Sequence, residues 1–150
     1  MSAMETPRLP DSRSIRFKVT LHTRWSDEDN QSVLNNAVYL TLFEEARHRY
    51  FSDLALLDGA RFPFVLAQTN VCFLHPGRGG VDVVVEARTT VLGSSSFTQV
   101  YRVIDPASGT IWCEAEARLV AWDNVARKKG TISAPFLERV AAFEALSASH

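Results

Sequence analysis

The stretch RWSDEDNQSVLNNAVYLTLFEEAR, from Arg24 to Arg47, decides the fold and carries the candidate chemistry. It begins at the end of an alternating strand, passes through an acidic polar loop and enters an amphipathic helix. Asp27 and Asp29 lie one residue apart, and Asn36 stands where the helix begins. A carboxylate is therefore expected beside the unpaired N–H groups of a helix start, which can hold an oxyanion.

The spacing of the two carboxylates leaves two interpretations open. Asp27 and Asp29 can serve only in turn and cap hydrogen bonds, and spacing alone favours this structural role. Alternatively, one of them acts as a general base or nucleophile at the helix start.

The hydrophobic pattern of the residues before and after this stretch predicts one α+β domain. Residues 15 to 25 alternate as a half-buried strand does, and the helix is predicted from Asn36 to Asp58, ended by Gly59. Its apolar stripe, which a sheet must cover, comprises Tyr39, Leu40, Phe43, Ala46, Tyr50, Phe51, Leu54 and Leu57. Four more strands are predicted at residues 65–75, 81–92, 97–104 and 110–122, with short turn-like joints that favour antiparallel hairpins.

The last predicted strand has two different faces. One face carries small residues suited to a close helix: Cys113, Ala115, Ala117, Leu119 and Ala121. The other face, from Trp112 to Trp122, mixes aromatic and charged residues, as solvent or a subunit interface would require. A final amphipathic segment, Pro135 to Leu146, is expected on the outside or at a subunit contact.

Composition and charge limit the classes of function. A chain of 150 residues with 46% hydrophobic content can bury one core, so we expect a single domain over residues 15–150 after a flexible arm, 1–14. The net charge of -1 predicts no nucleic-acid or membrane partner. With no signal-peptide pattern and no long apolar run, a cytoplasmic location is the default. Cys72 and Cys113 are expected to be reduced core residues, and no zinc site is expected.

The stretch from Arg24 to Arg47 resembles the signature of the hotdog-fold acyl-CoA thioesterases of the 4-hydroxybenzoyl-CoA thioesterase type. The likeness extends more weakly over residues 16 to 122. The matching residues are Asp27, Asp29, Asn35, Asn36, Ala37, Tyr39, Leu40, Phe43, Glu44, Ala46 and Arg47. The chain departs at Ser32, where Gly is usual, at Val33, where His is common, and mildly at Leu34.

The resemblance implies a curved antiparallel sheet around one long helix, and a homodimer or homotetramer with active sites between subunits. It implies that Asp29 is the catalytic carboxylate and that the N–H of Asn36 or a neighbour polarises the thioester carbonyl. Asp27 would then orient the loop, and Glu44 is a second candidate carboxylate. Because a thiolate leaves readily, such a site needs no strong general acid.

The implied substrate, an acyl-CoA, requires cations for its phosphates but no separate cofactor. Arg78 in the glycine-rich loop and the basic run Arg127, Lys128 and Lys129 are candidates, although a solvated charge run explains them equally well. Apolar side chains that can line an acyl pocket are Phe43, Phe62, Phe64 and Phe73.

Two other functional classes remain open on the sequence. A hydratase or dehydratase of acyl thioesters needs a His with a carboxylate, and no His lies between Asp29 and Asn36. A non-catalytic acyl-CoA binding domain would use the loop only as a cap. No histidine stands in a nucleophile motif, so a triad is not expected: His22, His48, His75 and His150.

Overall fold

The computed structural model describes residues 4–146. Residues 1–3 of the predicted arm and residues 147–150, with His150, lie outside that range. The secondary structure consists of β1 (Phe17–His22), α1 (Asn36–Asp53), β2 (Phe64–Phe73), β3 (Asp82–Leu92), β4 (Ser96–Ile104), β5 (Ile111–Asp123), β6 (Lys128–Lys129) and α2 (Ala134–Glu144).

The strands form one antiparallel sheet in the order β1-β3-β4-β5-β2, and β6 pairs with the end of β5. The long hairpins β3–β4 and β4–β5 follow from the short turns between them. β2 joins the sheet through β5, so β2 is an edge strand. The predicted α+β order of elements is confirmed.

Helix α1 packs on one face of the sheet and supplies the centre of the core. Its buried residues are Tyr39, Leu42, Phe43, Ala46, Arg47, Tyr50 and Phe51. They meet small or apolar residues of β5 and β3, such as Ala115 and Val85. Leu40 was predicted on this stripe but is 44% exposed, whereas the charged Arg47 is buried.

Helix α1 ends five residues earlier than predicted. Leu54 is its C-cap and Ala55 adopts φ 56°, in the left-handed region. The N–H of Leu56 donates to the Phe51 carbonyl at 2.9 Å, and the N–H of Ala55 donates to Ser52 at 3.0 Å. These bonds close the helix as a Schellman motif does. The prediction was wrong because the left-handed residue that closes the helix is Ala55, four residues before Gly59.

Helix α2 is part of the core rather than an outer attachment. Phe136 and Val140 are buried, and the Phe136 ring stacks on Phe51 with centroids 5.2 Å apart. Ser133 caps the helix by accepting the Phe136 N–H at 3.3 Å. The segment was expected on the outside or at a subunit contact. Its apolar face instead packs into the core of the same chain, and the subunit contact stays a prediction.

A row of charges crosses the face of the sheet away from α1. Lys18, Glu86, Arg102 and Glu114 are register partners on four neighbouring strands. Arg102 contacts Glu86 at 3.1 Å and Glu114 at 3.2 Å. The buried carboxylate of Glu86 forms ion pairs with Lys18 on one side and Arg102 on the other. A buried carboxylate requires such partners.

The N-terminal segment lies against this row of charges. The Pro10 carbonyl accepts from Arg102 at 3.2 Å, and the Ser12 hydroxyl donates to Glu86. Asn70 of β2 donates to the Glu5 carbonyl at 3.0 Å. Residues 5–14, predicted to be an arm apart from the domain, thus contact the sheet along its outer face.

Candidate active site

Asp27 holds the loop between β1 and α1 in shape. Its buried carboxylate accepts the Arg24 backbone N–H at 2.8 Å and the Arg24 Nη2 at 2.8 Å. Its carbonyl accepts the Asn35 N–H at 2.9 Å. Burial alone raises the pKa of Asp27, but the hydrogen bonds and charge of Arg24 outweigh it and hold the pKa below 3.8. This arrangement fits the orienting role expected of Asp27.

Asp29 lies at the exposed tip of the same loop. Its N–H donates to the Val33 carbonyl at 2.8 Å, and its Oδ1 accepts the Gln31 N–H at 2.7 Å. Its Oδ2 meets no hydrogen-bond donor among residues 4–146. One carboxylate oxygen therefore anchors the side chain while the other stays accessible, so a turn role and a chemical role are compatible.

The departures from the resembled signature have local explanations. Ser32 adopts φ 59°, in the left-handed region that glycine occupies without a steric penalty. Val33 is half-buried and lines a cavity at the start of α1, so its replacement of His removes a titratable group from that wall. Leu34 is buried and donates its N–H to the Gly77 carbonyl at 2.9 Å.

The start of α1 presents a free N–H group. Asn35 is the N-cap, and its Oδ1 accepts the Ala37 N–H at 2.9 Å. The Val38 N–H donates to the Asn35 carbonyl at 2.9 Å. The N–H of Asn36, the first residue of α1, makes no hydrogen bond within residues 4–146 and has no intrahelical acceptor. Asn36 thus offers a donor at the positive end of the helix dipole.

A cavity of about 200 Å³ opens beside this helix start. Asn36, Tyr39, Phe73 and His75 line it. Burial raises the pKa of Tyr39, so its hydroxyl stays protonated. Tyr39, one turn after Asn36 on α1, was assigned from its spacing to the core stripe only. His75 was missed as a site residue because it reaches this cavity through the pairing of β2 with β5, which no local pattern reveals.

Glu44 belongs to a different cavity, of about 350 Å³, between α1 and β2. It lies eight residues after Asn36, or about 12 Å along a helix that rises 1.5 Å per residue. Phe43, Phe62 and Phe64, predicted for an acyl pocket, line this cavity too, whereas Phe73 lines the smaller one. The structure therefore does not bring Glu44 to the helix start where Asn36 lies.

The four candidate cations fall in two places. Arg78 is exposed in the glycine-rich loop that Leu34 binds through Gly77, so it lies near the start of α1. The run Arg127, Lys128 and Lys129 is exposed in the β5–β6 hairpin, where Lys129 pairs with Trp122.

The hairpin with the basic run lies far from the start of α1 within one chain. Trp112, at the other end of β5, lies against Gly77 and Tyr39. Ten residues of strand from Trp112 to Trp122 span about 33 Å at 3.3 Å per residue. A single chain therefore does not unite this run with Asp29.

The two cysteines add no nucleophile at this site. Both thiols are free; Cys113 is buried and Cys72 is half-buried. Burial, with smaller contributions from Cys72 and Glu114, raises the pKa of Cys113 to about 12. Within residues 4–146 no cluster of three His, Cys, Asp or Glu side chains suits a metal ion. No helix in the same range is long and apolar enough to cross a membrane.

The family of the chain is given by comparison with known proteins. The model of the thioesterase-like superfamily matches residues 23–140, which include the acidic loop, α1 and the whole sheet after β1. The chain belongs to this superfamily. The recognition made from the residues at 24–47 is thereby confirmed, and the superfamily identifies the protein as a thioester hydrolase.

Solved structures agree with this membership. A thioesterase from Thermus thermophilus, complexed with coenzyme A and Zn, is 30% identical over 85% of this chain and 94% of that chain, with a TM-score of 0.74. A thioesterase-superfamily protein from Jannaschia is 20% identical over 93% and 89% of the two chains, with a TM-score of 0.81. A 1,4-dihydroxy-2-naphthoyl-CoA thioesterase from Synechocystis is 19% identical over 83% and 95%, with a TM-score of 0.73. The last two likenesses confirm the hotdog fold; no curated protein sequence matches the chain.

Proposed function

We propose that this member of the superfamily hydrolyses acyl-CoA thioesters, with Asp29 as the catalytic carboxylate. The observation that supports the proposal is that one short loop-to-helix segment carries both the Asp29 carboxylate, with one oxygen open, and the Asn36 N–H, which has no hydrogen-bond partner within residues 4–146. The Glu28–Leu34 bridge and the bond from the Asn35 N–H to the Asp27 carbonyl hold the Asp29 loop against the start of α1.

The chemistry divides between these two groups. Asp29 either takes a proton from the attacking water or attacks the thioester carbon itself, and both routes need its ionised form. The Asn36 N–H stabilises the negative charge that develops on the carbonyl oxygen. The C–S bond then breaks and releases the thiolate of coenzyme A, which needs no strong acid because a thiol pKa is about 8.5. Water supplies the hydroxyl of the acid product.

An acyl-CoA is the favoured substrate class because a neighbour at 30% identity carries coenzyme A. Arg78, in the loop beside the helix start, is the cation best placed for its phosphates within one subunit. The cytoplasmic location expected from the sequence stays a prediction.

We further propose that the enzyme is a homodimer or a dimer of dimers, paired through β2. Among residues 4–146 no strand pairs with the outer side of β2. Four apolar residues at or beside this edge are 40% to 49% exposed: Val65, Leu66, Phe73 and Leu74. Long exposed apolar edges are unfavourable in an isolated chain. An antiparallel β2–β2 contact would also bring the partner's β5–β6 hairpin, with its basic run, toward the start of α1, a few strand spacings of about 4.8 Å away.

The test of the catalytic assignment is Asp29→Asn, followed by release of coenzyme A from a panel of acyl-CoA esters. We expect kcat to fall by about a hundredfold or more, with KM little changed, because the base or nucleophile is lost. Asn keeps the acceptor that binds the Gln31 N–H, so folding is preserved.

Controls separate the carboxylates and the reactions. Glu44→Gln and Asp27→Asn should each retain more activity than Asp29→Asn. If Asp29→Asn keeps most of the wild-type kcat, the assignment is wrong. The presence of His75 in the cavity beside Asn36 gives the hydratase alternative a specific basis. An enoyl-CoA that gains water without releasing coenzyme A would favour that alternative.

A further inference from the structure

The N-terminal segment crosses the whole outer face of the sheet, the face away from α1. Three hydrogen bonds mark its course, each to a different strand: from Asn70 of β2 to the Glu5 carbonyl, from Arg102 of β4 to the Pro10 carbonyl, and from Ser12 to Glu86 of β3. The chain then enters β1 at Phe17. In the strand order β1-β3-β4-β5-β2, this course leads from one edge to the other. Four strand spacings of about 4.8 Å make about 19 Å, which the ten residues 5–14 can span.

Side chains of the outer face are buried although α1 lies on the opposite face. Glu86 is fully buried and Arg102 is 6% exposed. Val100 lies two residues before Arg102 on β4, on the same face, and is 1% exposed although it does not belong to the hydrophobic cluster that includes α1. Pro7 of the N-terminal segment is buried too. Residues 5–14 therefore pack onto the sheet and shield it from solvent.

The charges under this segment are complementary to those of a second copy of the chain. Positive and negative side chains alternate across four neighbouring strands, in the order Lys18, Glu86, Arg102 and Glu114. A copy turned by 180° about an axis parallel to the strands presents the same row in reverse. Lys18 then meets Glu114 of the copy, and Glu86 meets Arg102 of the copy. A twofold interface requires such self-complementarity.

The N-terminal segment fills the space that this contact needs. Two sheets packed face to face lie about 10 Å apart, and their side chains occupy that distance. A further stretch of backbone between the sheets would hold the two charge rows apart.

We infer that residues 5–14 are a strap that keeps a second copy of this chain off the outer face, so that assembly stops at the dimer. The strap selects the dimer over the dimer of dimers, which rests on the β2 pairing proposed above. The partner that the uncovered face fits is the same chain.

The ion pairs of the sheet persist when the strap is removed. Glu86 keeps its contacts with Lys18 and Arg102, both at 3.1 Å, and Arg102 keeps Glu114 at 3.2 Å. Water replaces the Ser12 hydroxyl and the Pro10 carbonyl on the uncovered face. A chain without residues 1–14 should therefore fold.

The experiment uncovers the face in two ways and measures the mass of the assembly by light scattering. One variant lacks residues 1–14. The other, Ser12→Asp in the full chain, sets a second carboxylate against buried Glu86, and like charges oppose that contact. We expect wild type to stay at two chains at every concentration. Both variants should reach four chains or more as the concentration rises, at least a twofold gain in mass.

Ser14→Asp is the matched control for Ser12→Asp. Ser14 is exposed, and its hydroxyl donates at 2.8 Å to the Asp11 carbonyl inside the strap rather than to the sheet. The same added charge should leave the strap in place, so the mass should stay at two chains.

Thiol labelling at position 100 reports directly whether the strap covers the sheet. Val100→Cys is introduced into each chain, and peptide masses distinguish its labelling from that of Cys72 and Cys113. The reaction is followed at a concentration where the mass is still two chains, so that no further copy protects the thiol. We expect a maleimide to react about tenfold faster or more when the strap is absent or carries Ser12→Asp, and at the full-length rate in Ser14→Asp.

Three outcomes overturn the inference. The first is a wild-type assembly of four chains. The second is a truncated chain that stays at two chains while Cys at position 100 reacts quickly, because the open face would then attract no copy. The third is an equal labelling rate with and without the strap, because the strap would then not cover the sheet. If truncation prevents folding, Ser12→Asp decides by the same readings.

Failure of the β2 pairing is read separately. In that case wild type is a monomer, whereas the strap still predicts that its removal turns monomers into dimers. Leu66→Lys, on the β2 edge, should not prevent those dimers, since they form through the outer face. A truncated chain that stays a monomer refutes the strap as well.

Discussion

The Leu34 N–H donates a 2.9 Å hydrogen bond to the carbonyl of Gly77. This bond joins two loops that are more than forty residues apart in sequence, one before α1 and one after β2. It places the glycine-rich loop, with Arg78, against the start of α1. The candidate site therefore depends on a close approach at Gly77.

Gly77→Ala tests this approach. An added Cβ would lie 2.5 Å from the Tyr39 hydroxyl and 2.7 Å from Trp112 Cε3, which is closer than packing allows. We expect a loss of about 1–3 kcal/mol in the free energy of unfolding, or roughly 3–10 °C in Tm, together with reduced kcat/KM. Thermal melts and coenzyme A release measure the two effects.

Gly130→Ala is the matched control, because its Cβ would have only a 3.9 Å contact with the Asp123 nitrogen. Its Tm should stay close to wild type. An unchanged Tm in Gly77→Ala would show that the two loops can separate without cost.

Asp27→Asn should lower stability in a pH-dependent way. The folded-state pKa of Asp27 is held below 3.8, so its ionised form stabilises the fold above the ordinary Asp pKa. That contribution is lost as the pH falls through the lowered pKa. We therefore expect the Tm of Asp27→Asn to lie below wild type at pH 7, and the difference to shrink below about pH 3.8.

Asp29→Asn serves as the control for this stability measurement, since Asp29 is exposed and its turn acceptor survives the change. Its Tm should match wild type across the same pH range. A gap between Asp27→Asn and wild type that widens in acid would contradict the assignment of the Arg24 contact.

Leu66→Lys tests the proposed β2 contact. Leu66 is 45% exposed on the edge strand, and a buried lysine without a partner would oppose pairing of two such strands. We expect light scattering to show a shift from dimer to monomer at micromolar concentration. Val91→Lys, which changes a 59% exposed residue of β3, should leave the mass unchanged. A wild-type protein that is monomeric and active would rule out the dimer.

Lys128→Ala combined with Lys129→Ala tests the basic run. Both side chains are exposed in β6, so their attraction to coenzyme A phosphates is screened by salt. We expect KM for an acyl-CoA to rise, more at low salt than at high salt, with kcat preserved. Arg49→Gln is the control for a general loss of positive charge. If KM at low salt stays at the wild-type value, these lysines are not part of the site.

The loop-and-helix stretch from Arg24 to Arg47 could be interpreted from the sequence because its signals are local. Alternation predicted β1, the polar cap residues predicted the start of α1 at Asn36, and turn residues predicted the hairpins. At the other end of α1 the local signal, Gly59, predicted the wrong end of the helix. Ala55 takes a left-handed backbone because packing and two cap bonds stabilise it, and residue type alone does not reveal that.

The sequence by itself determined the order of elements, the helix start and the carboxylate beside it, because each depends on neighbours within a few residues. Only the tertiary structure decided that His75 and Gly77 stand at the start of α1, and that the basic run lies at the far end of β5. It also decided that Arg47 is buried beside Tyr101 and forms no ion pair with any carboxylate of residues 4–146. These placements come from strand register and from packing between segments distant in sequence, so no short stretch of sequence reveals them.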